Sequence, residues 1–163
     1  MNNHNLDEQP TATLILKQGR DKPIRNRHPW VFSGAIGRVQ GQPAPGDLVT
    51  VADHKGTPLA TAYYNAKSQI QARILSWEPS EPIDEAFWRG RLQRAIAGRE
   101  MMGLTADNRR PLTTDPLTTD LLITAPPTTA CRLVNAEADD LPGLVVDRYG
   151  DYLVIQCLTL GID

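Results

Sequence analysis

Two stretches of this 163-residue chain carry side chains suited to chemistry. The first runs Lys17-Gln18-Gly19-Arg20 and resumes as Arg25-Asn26-Arg27-His28-Pro29-Trp30-Val31-Phe32-Ser33-Gly34. Guanidinium groups make forked contacts with phosphate oxygens. A glycine lets backbone approach backbone, Trp30 offers a π-face to an unstacked base, and His28 offers a polar edge. The candidate polyanion-binding set is therefore Lys17, Arg20, Arg25, Arg27, His28, Trp30, Ser33 and Gly34. The competing reading is a solvated basic face over buried aromatics. Phe32 is expected in the core, whereas Trp30 suits either role.

The second stretch is Asn135-Ala136-Glu137-Ala138-Asp139-Asp140-Leu141-Pro142-Gly143-Leu144, with Asp147-Arg148-Tyr149 after it. Clustered carboxylates can do acid/base work or hold a divalent ion. No histidine lies nearby and the spacing is not that of a calcium loop. The expectation is a charged turn in which Glu137, Asp139 and Arg148 pair with one another or cap the backbone. His4, His28 and His54 are dispersed and suggest no metal site. The sequence has no Gly-rich phosphate loop after a strand and no G-x-S-x-G turn. Cys131 and Cys157 match no zinc spacing, and both sit in apolar runs that read as buried structural thiols. An active site contained within these residues is not expected.

Charge supports the first stretch. Thr13 to Arg38 holds six basic residues and one acid, Asp21, a local charge of +5 in a chain whose total is −2. A basic face on an acidic protein suits a directed polyanion contact. With 40% apolar residues the chain is globular rather than disordered. No apolar run approaches the roughly 18 residues of a membrane span, and the polar N-terminus has no signal-peptide core. A cytoplasmic location without membrane contact is the expectation.

Elements that could position these residues follow from pattern. Residues 1–12 read as a flexible tail. Short apolar runs at Leu14-Ile15-Leu16, Trp30-Val31-Phe32, Ile36 to Val39, Asp47 to Asp53, Leu59 to Tyr64 and Ile70 to Trp77 are divided by Gly and Pro turns, which predicts a small β-barrel. A helix is predicted over 83–100, with Trp88, Leu92, Ala95 and Ile96 on its apolar face and Arg91, Arg94 and Arg99 mostly elsewhere. Residues 103–130 contain the tandem copy Pro111-Leu112-Thr113-Thr114-Asp115 and Pro116-Leu117-Thr118-Thr119-Asp120, which reads as an inserted surface loop. Arg132 to Asn135, Leu144 to Asp147 and Tyr152 to Leu158 read as strands. The last two form a hairpin-like pair whose apolar faces are expected to pack on the helix.

The motifs then suggest a family. Leu16-Lys17-Gln18-Gly19-Arg20 with Arg27-His28-Pro29-Trp30-Val31-Phe32-Ser33-Gly34-Ala35-Ile36 resembles the N-terminal PUA domain of large-subunit rRNA cytosine-C5 methyltransferases. Gly46 to Val51 and Ser68 to Leu75 are similar to its later strands. Arg132 to Asp139 and Leu141 to Asp151 resemble that family's central domain. The resemblance implies a class I S-adenosylmethionine-dependent enzyme whose cofactor pocket and nucleophilic cysteine lie in a C-terminal Rossmann-like domain. No nucleophile is therefore assigned to Cys131 or Cys157. The chain departs from the family by stopping where that domain is expected to begin, by the 103–130 loop, and by Asp140 where glycine is expected. An aspartate can still adopt the left-handed conformation there.

The resulting expectation is a mainly β chain with α+β character. A PUA-like barrel at 13–78 is followed by an incomplete α+β central domain at 79–163, and the catalytic Rossmann-like domain is absent. Function is read as the RNA-binding N-terminal part of a 23S rRNA (cytosine-C5) methyltransferase. The partner is large-subunit rRNA, and S-adenosylmethionine is implied for the full-length family but bound by no residue of this chain. A homodimer is compatible with the sequence, which does not set the oligomeric state. Rival readings are a stand-alone RNA-binding protein without catalysis and a protein-interaction module.

Overall fold

The computed structural model describes residues 9–104 and 130–162. The tandem repeat and most of the expected 103–130 loop lie outside these residues, as do residues 1–8 of the expected tail. In chain order the elements are β1 (Ala12–Leu16), the single-turn helix α1 (Lys22–Arg25), β2 (Trp30–Phe32), β3 (Ile36–Gln40), β4 (Leu48–Ala52), β5 (Pro58–Tyr64), β6 (Ile70–Ser76), α2 (Glu85–Met101), β7 (Ala130–Asn135), β8 (Leu144–Tyr149) and β9 (Tyr152–Cys157). The first strand begins at Ala12, two residues before the expected start.

Six strands form one mixed sheet in the order β2-β6-β5-β4-β1-β3. Only β1 and β4 run parallel. Period-two alternation aligns the core rows. Leu14 lies opposite Val51, which lies opposite Ala60, and Val49 lies opposite Ala62, which lies opposite Ile74. These residues share one core with Leu16, Ile24 and Val31. Small alanines on β5 leave room for the larger side chains facing them. A 3-10 turn at Ser33–Ala35 runs directly from β2 to β3, the two outer strands, so the sheet must curl to bring its edges near each other. Register shifts in all but the parallel ladder supply that curl.

The expected architecture, a PUA-like barrel followed by an incomplete α+β domain, is corrected here. Among the described residues β2 and β3 share no ladder, so the sheet curls without closing. Turn signals mark where strands end, but closure depends on the ladder between first and last strand, which no local pattern encodes. The later elements also join the sheet through a shared core rather than standing apart. Leu48, Tyr63 and Leu75 on its other face pack with Ile83 and Phe87, with Trp88 and Ile162 at the margin. Ala95 packs with Val134, Leu141 and Val146 of the second sheet, again with Trp88 alongside. That sheet is antiparallel, in the order β7-β8-β9.

Helix α2 is capped by Asp84, whose carboxylate accepts the Phe87 N–H at 2.8 Å. Its fully buried residues are Phe87, Arg91 and Ala95; Trp88 and Leu92 of the expected face are half-buried against the cores, and Ile96 is exposed, so the buried stripe extends toward Phe87 and Arg91 instead of Ile96. The helix serves two cores, and its buried stripe follows both. Arg91 is tolerated there because its guanidinium donates to the Leu75 carbonyl at 3.1 Å, pairs with Asp140 at 3.1 Å and lies over the Phe87 ring at 4.7 Å. Strand β9 is exposed throughout, contrary to the expected packing on the helix. The helix reaches β7 and Val146 of β8, and the third strand lies beyond it. Cys157 is accordingly exposed, not buried, and Cys131 is half-buried. No helix among the described residues is long and apolar enough to cross a membrane.

Candidate nucleic-acid interface

The basic segment is organised by α1. Its four residues end in a Schellman-type turn: Asn26 caps, the Arg27 N–H donates to the Ile24 carbonyl at 3.0 Å, and the His28 N–H donates to the Pro23 carbonyl at 2.9 Å. Arg27 takes φ +62° at the position where such turns favour glycine. The chain then extends into β2. His28, Trp30 and Phe32 line one cleft, while Arg27 and Pro29 line a second.

The first cleft has a volume of about 310 Å³. Pro23, Ile24 and the three aromatic side chains wall it, and Arg20 and Gly34 stand in its lining. The His28 and Trp30 rings meet edge to face at 5.8 Å, and Trp30 and Phe32 do so at 6.3 Å. Phe32 was expected in the core but is 46% exposed. In an extended strand it shares a face with His28 and Trp30, whereas Val31 between them points inward and is 1% exposed. That i, i+2, i+4 spacing was the signal for Phe32 as a further wall residue.

The cations divide by their partners. Arg25 donates from Nε to Asp21 at 2.7 Å and from a terminal nitrogen to Asp53 at 3.2 Å, so it ties α1 to the turn after β4. Its hydrogen bond holds the Asp21 carboxyl below the usual carboxylate range. Asp53 is held low first by the Thr57 N–H and then by the Lys55 N–H. Lys17 Nζ donates to the Gly34 carbonyl at 3.0 Å. Arg20 and Arg27 form no ion pair with a described residue; the Arg27 guanidinium lies over the Trp77 ring at 5.2 Å. The Ser33 N–H donates to the Gln69 carbonyl at 3.0 Å. A side chain at Gly34 would meet open space, so packing does not require glycine there.

Trp30 has a structural partner as well as a face on the cleft. Its indole N–H donates to Glu137 Oε1 at 2.8 Å, and the Arg73 guanidinium lies over its ring at 5.5 Å. Arg73 also pairs with Glu137. Glu137 thus takes partners from the first sheet, whereas Asp139 both caps its own turn and reaches α2. Asp139 accepts two hydrogen bonds from Arg99, at 2.5 and 2.6 Å, and one from the Asn135 N–H. Asp147 takes Arg132 at 2.8 and 3.0 Å, which lowers its pKa. Among the described residues no cluster of ligating side chains fits a metal ion.

A curled sheet with a basic, aromatic-lined cleft where α1 enters β2 can be compared with known proteins. Residues 14–77 match the PUA-like domain family. Among curated relatives, Ribosomal RNA large subunit methyltransferase I of Cronobacter sakazakii is 39% identical over 153 residues, 94% of this chain and 34% of that protein. The protein of the same name from Escherichia coli O1:K1 is 38% identical over the same extent. The chain therefore spans about a third of the length of the curated relatives it matches. Among solved structures, a candidate SAM-dependent methyltransferase from Streptococcus mutans superposes with a TM-score of 0.67 at 15% identity. It covers 92% of this chain and 34% of its own. A candidate methyltransferase solved with SAH gives 0.66 at 16% identity, covering 90% and 32%. These structures share the fold across both sheets. The superpositions cover 92% and 90% of this chain, so the likeness runs past residues 14–77 into the second sheet, which corrects the expected fold class of a barrel followed by an incomplete domain. Among the described residues no strand leads through a glycine-rich loop into a helix, so none is assigned to a nucleotide cofactor.

Proposed function

We propose that this chain is the RNA-gripping N-terminal part of an S-adenosylmethionine-dependent methyltransferase acting on cytosine C5 of large-subunit rRNA. The observation that carries the reading is the first cleft, where an aromatic wall lies beside Arg20, a cation with no ion pair among the described residues, inside a PUA-like match. Its apolar volume suits an unstacked base, and Arg20 suits the adjoining phosphate. Co-linear likeness to the rRNA methyltransferases over 94% of the chain supports the target class. In this reading residues 13–78 grip RNA and 79–163 carry that grip to the rest of the enzyme. Lys17, Arg25, Ser33 and Gly34 shape the cleft's rim, while Arg20, Arg27, His28 and Trp30 face the RNA. S-adenosylmethionine would supply the methyl group elsewhere in the protein. The protein works in the cytoplasm, and the uncharged edge strand β9 supports self-association as a homodimer.

Titrating single-stranded and hairpin rRNA fragments against the full chain at two salt concentrations tests this. Binding should weaken as salt rises and weaken further in Arg20→Ala. Salt-indifferent binding, with no loss in Arg20→Ala or Arg27→Ala, would falsify the reading.

A further inference from the structure

Beside the first cleft, a groove runs between the end of β6 and helix α2. Two adjoining hollows of about 360 and 300 Å³ share Arg27, Trp77 and Asp140. The smaller one adds Arg91 and Arg94 from α2. Its carboxylates are mostly occupied: Glu81 and Asp140 both pair with Arg91. Glu78 accepts the Ser80 hydroxyl at 2.7 Å and forms no ion pair with a described residue. Arg94 is exposed and forms no ion pair with a described residue. Among the described residues Arg27 likewise forms no ion pair and lies over the Trp77 ring. Arg91, 7% exposed, leaves its buried Nε without a hydrogen-bond partner. Two guanidinium groups without an ion pair to a described residue thus flank the recess and offset its remaining charges, Arg91 against Glu78, Glu81 and Asp140.

The backbone at Arg27 points the same way. A side chain in the left-handed region is strained, and glycine would fill this turn position more readily. Arginine here orients a planar cation over Trp77, leaving its N–H edges available to a forked acceptor.

We propose that this groove binds a backbone phosphate of single-stranded RNA through Arg27 and Arg94, with Trp77 holding the Arg27 plane in place. The inference rests on the RNA-binding reading above and extends it. The short segment Arg27-His28-Pro29-Trp30 divides the two clefts, so a strand whose base enters the first crosses it with a neighbouring phosphate in the second. The RNA recognised must then be unpaired on at least one side of the inserted base, because a continuous duplex would keep both the base and its neighbour stacked.

The test is anisotropy of a labelled single-stranded rRNA fragment against the full chain over a range of salt, with Arg27→Gly, Arg94→Gln, Glu78→Gln and Arg20→Ala. Arg27→Gly and Arg94→Gln should each weaken binding several-fold and lower the slope of log affinity against log salt by about 0.7. Glu78→Gln should tighten binding by removing the opposing charge. Arg27→Gly should also keep or raise the urea midpoint, which separates the guanidinium from the turn. Should that midpoint fall, Arg94→Gln, at an exposed helical position, decides alone. Unchanged affinity and slope in Arg94→Gln, with a loss in Arg20→Ala, would overturn the phosphate groove and leave the first cleft standing. No salt-dependent binding by the unmodified chain would overturn both.

Discussion

The Trp30 indole N–H and Glu137 Oε1 meet at 2.8 Å although 107 positions separate them in the chain. This bond, reinforced by Arg73, fastens the cleft-bearing strand β2 to the turn before β8. Trp30→Phe keeps an aromatic wall and removes the donor. It should destabilise the chain by about 1.5 kcal/mol, as expected for a hydrogen bond to a charged acceptor, read from urea unfolding. An unfolding midpoint equal to that of the unmodified chain would show that the bond contributes nothing to the fastening.

Phe32 offers the opposite separation. At 46% exposure it contributes little to the core, yet it walls the first cleft. Phe32→Ala should leave the unfolding midpoint nearly unchanged and weaken RNA binding by about 1–3 kcal/mol, the range for lost base–aromatic stacking. A large stability loss with unaltered binding would return Phe32 to a packing role.

Asp140 occupies φ +57°, ψ +30°, the left-handed region anticipated where a glycine was expected. It also pairs with Arg91 at 3.1 Å. Asp140→Ala loses the ion pair and keeps the strained backbone, so it should cost about 1–2 kcal/mol. Asp140→Gly loses the pair but relaxes the backbone, and its unfolding midpoint should lie above that of the alanine variant. The reverse order would contradict the strain.

Acid should loosen the fold in a defined window. The Asp21, Asp53 and Asp147 carboxyls all have pKa values lowered in the folded chain by hydrogen bonds to them. A depressed folded pKa contributes stability that is full above the unfolded value, about 4, and is lost as pH falls through the folded value. The urea midpoint should therefore hold from neutral pH down to about 5 and then fall. Asp147→Asn should start lower and fall less steeply below that point, and parallel curves for the two proteins would rule out a contribution from Asp147.

Cysteine accessibility checks the position of β9. Cys157 is exposed and Cys131 half-buried. A thiol reagent should modify Cys157 quickly in the folded chain and Cys131 more slowly. Equal, slow reaction of both would mean that β9 is covered in solution.

Much of the architecture was legible locally. Short apolar runs divided by Gly and Pro turns identified β4, β5 and β6 as strands, because turn residues and apolar clustering are local features. The apolar spacing of Trp88, Leu92 and Ala95 located α2 to within two residues, since helical periodicity is a property of neighbouring residues. The concentration of arginines between Lys17 and Arg38 marked the candidate interface for the same reason: charge density and residue type need no fold to be read. The left-handed turn at Asp140 was anticipated from the family resemblance, which places a glycine there, and backbone sterics allow an aspartate in its place.

What the chain does with those elements needed long-range contacts. Whether the sheet closes depends on β2 and β3, which are adjacent in sequence yet lie at opposite edges of the sheet. Which arginines remain free depends on carboxylates distant in sequence: Asp53 takes Arg25, while Arg27 and Arg94 are left facing one groove. Arg91 is buried because two cores converge on α2, and β9 is exposed because the helix stops short of it. Sequence by itself determined the elements and their chemistry, because those follow from neighbours along the chain. Only the tertiary structure decided which charges cancel and which face solvent, because electrostatic pairing and burial are set by distance in space.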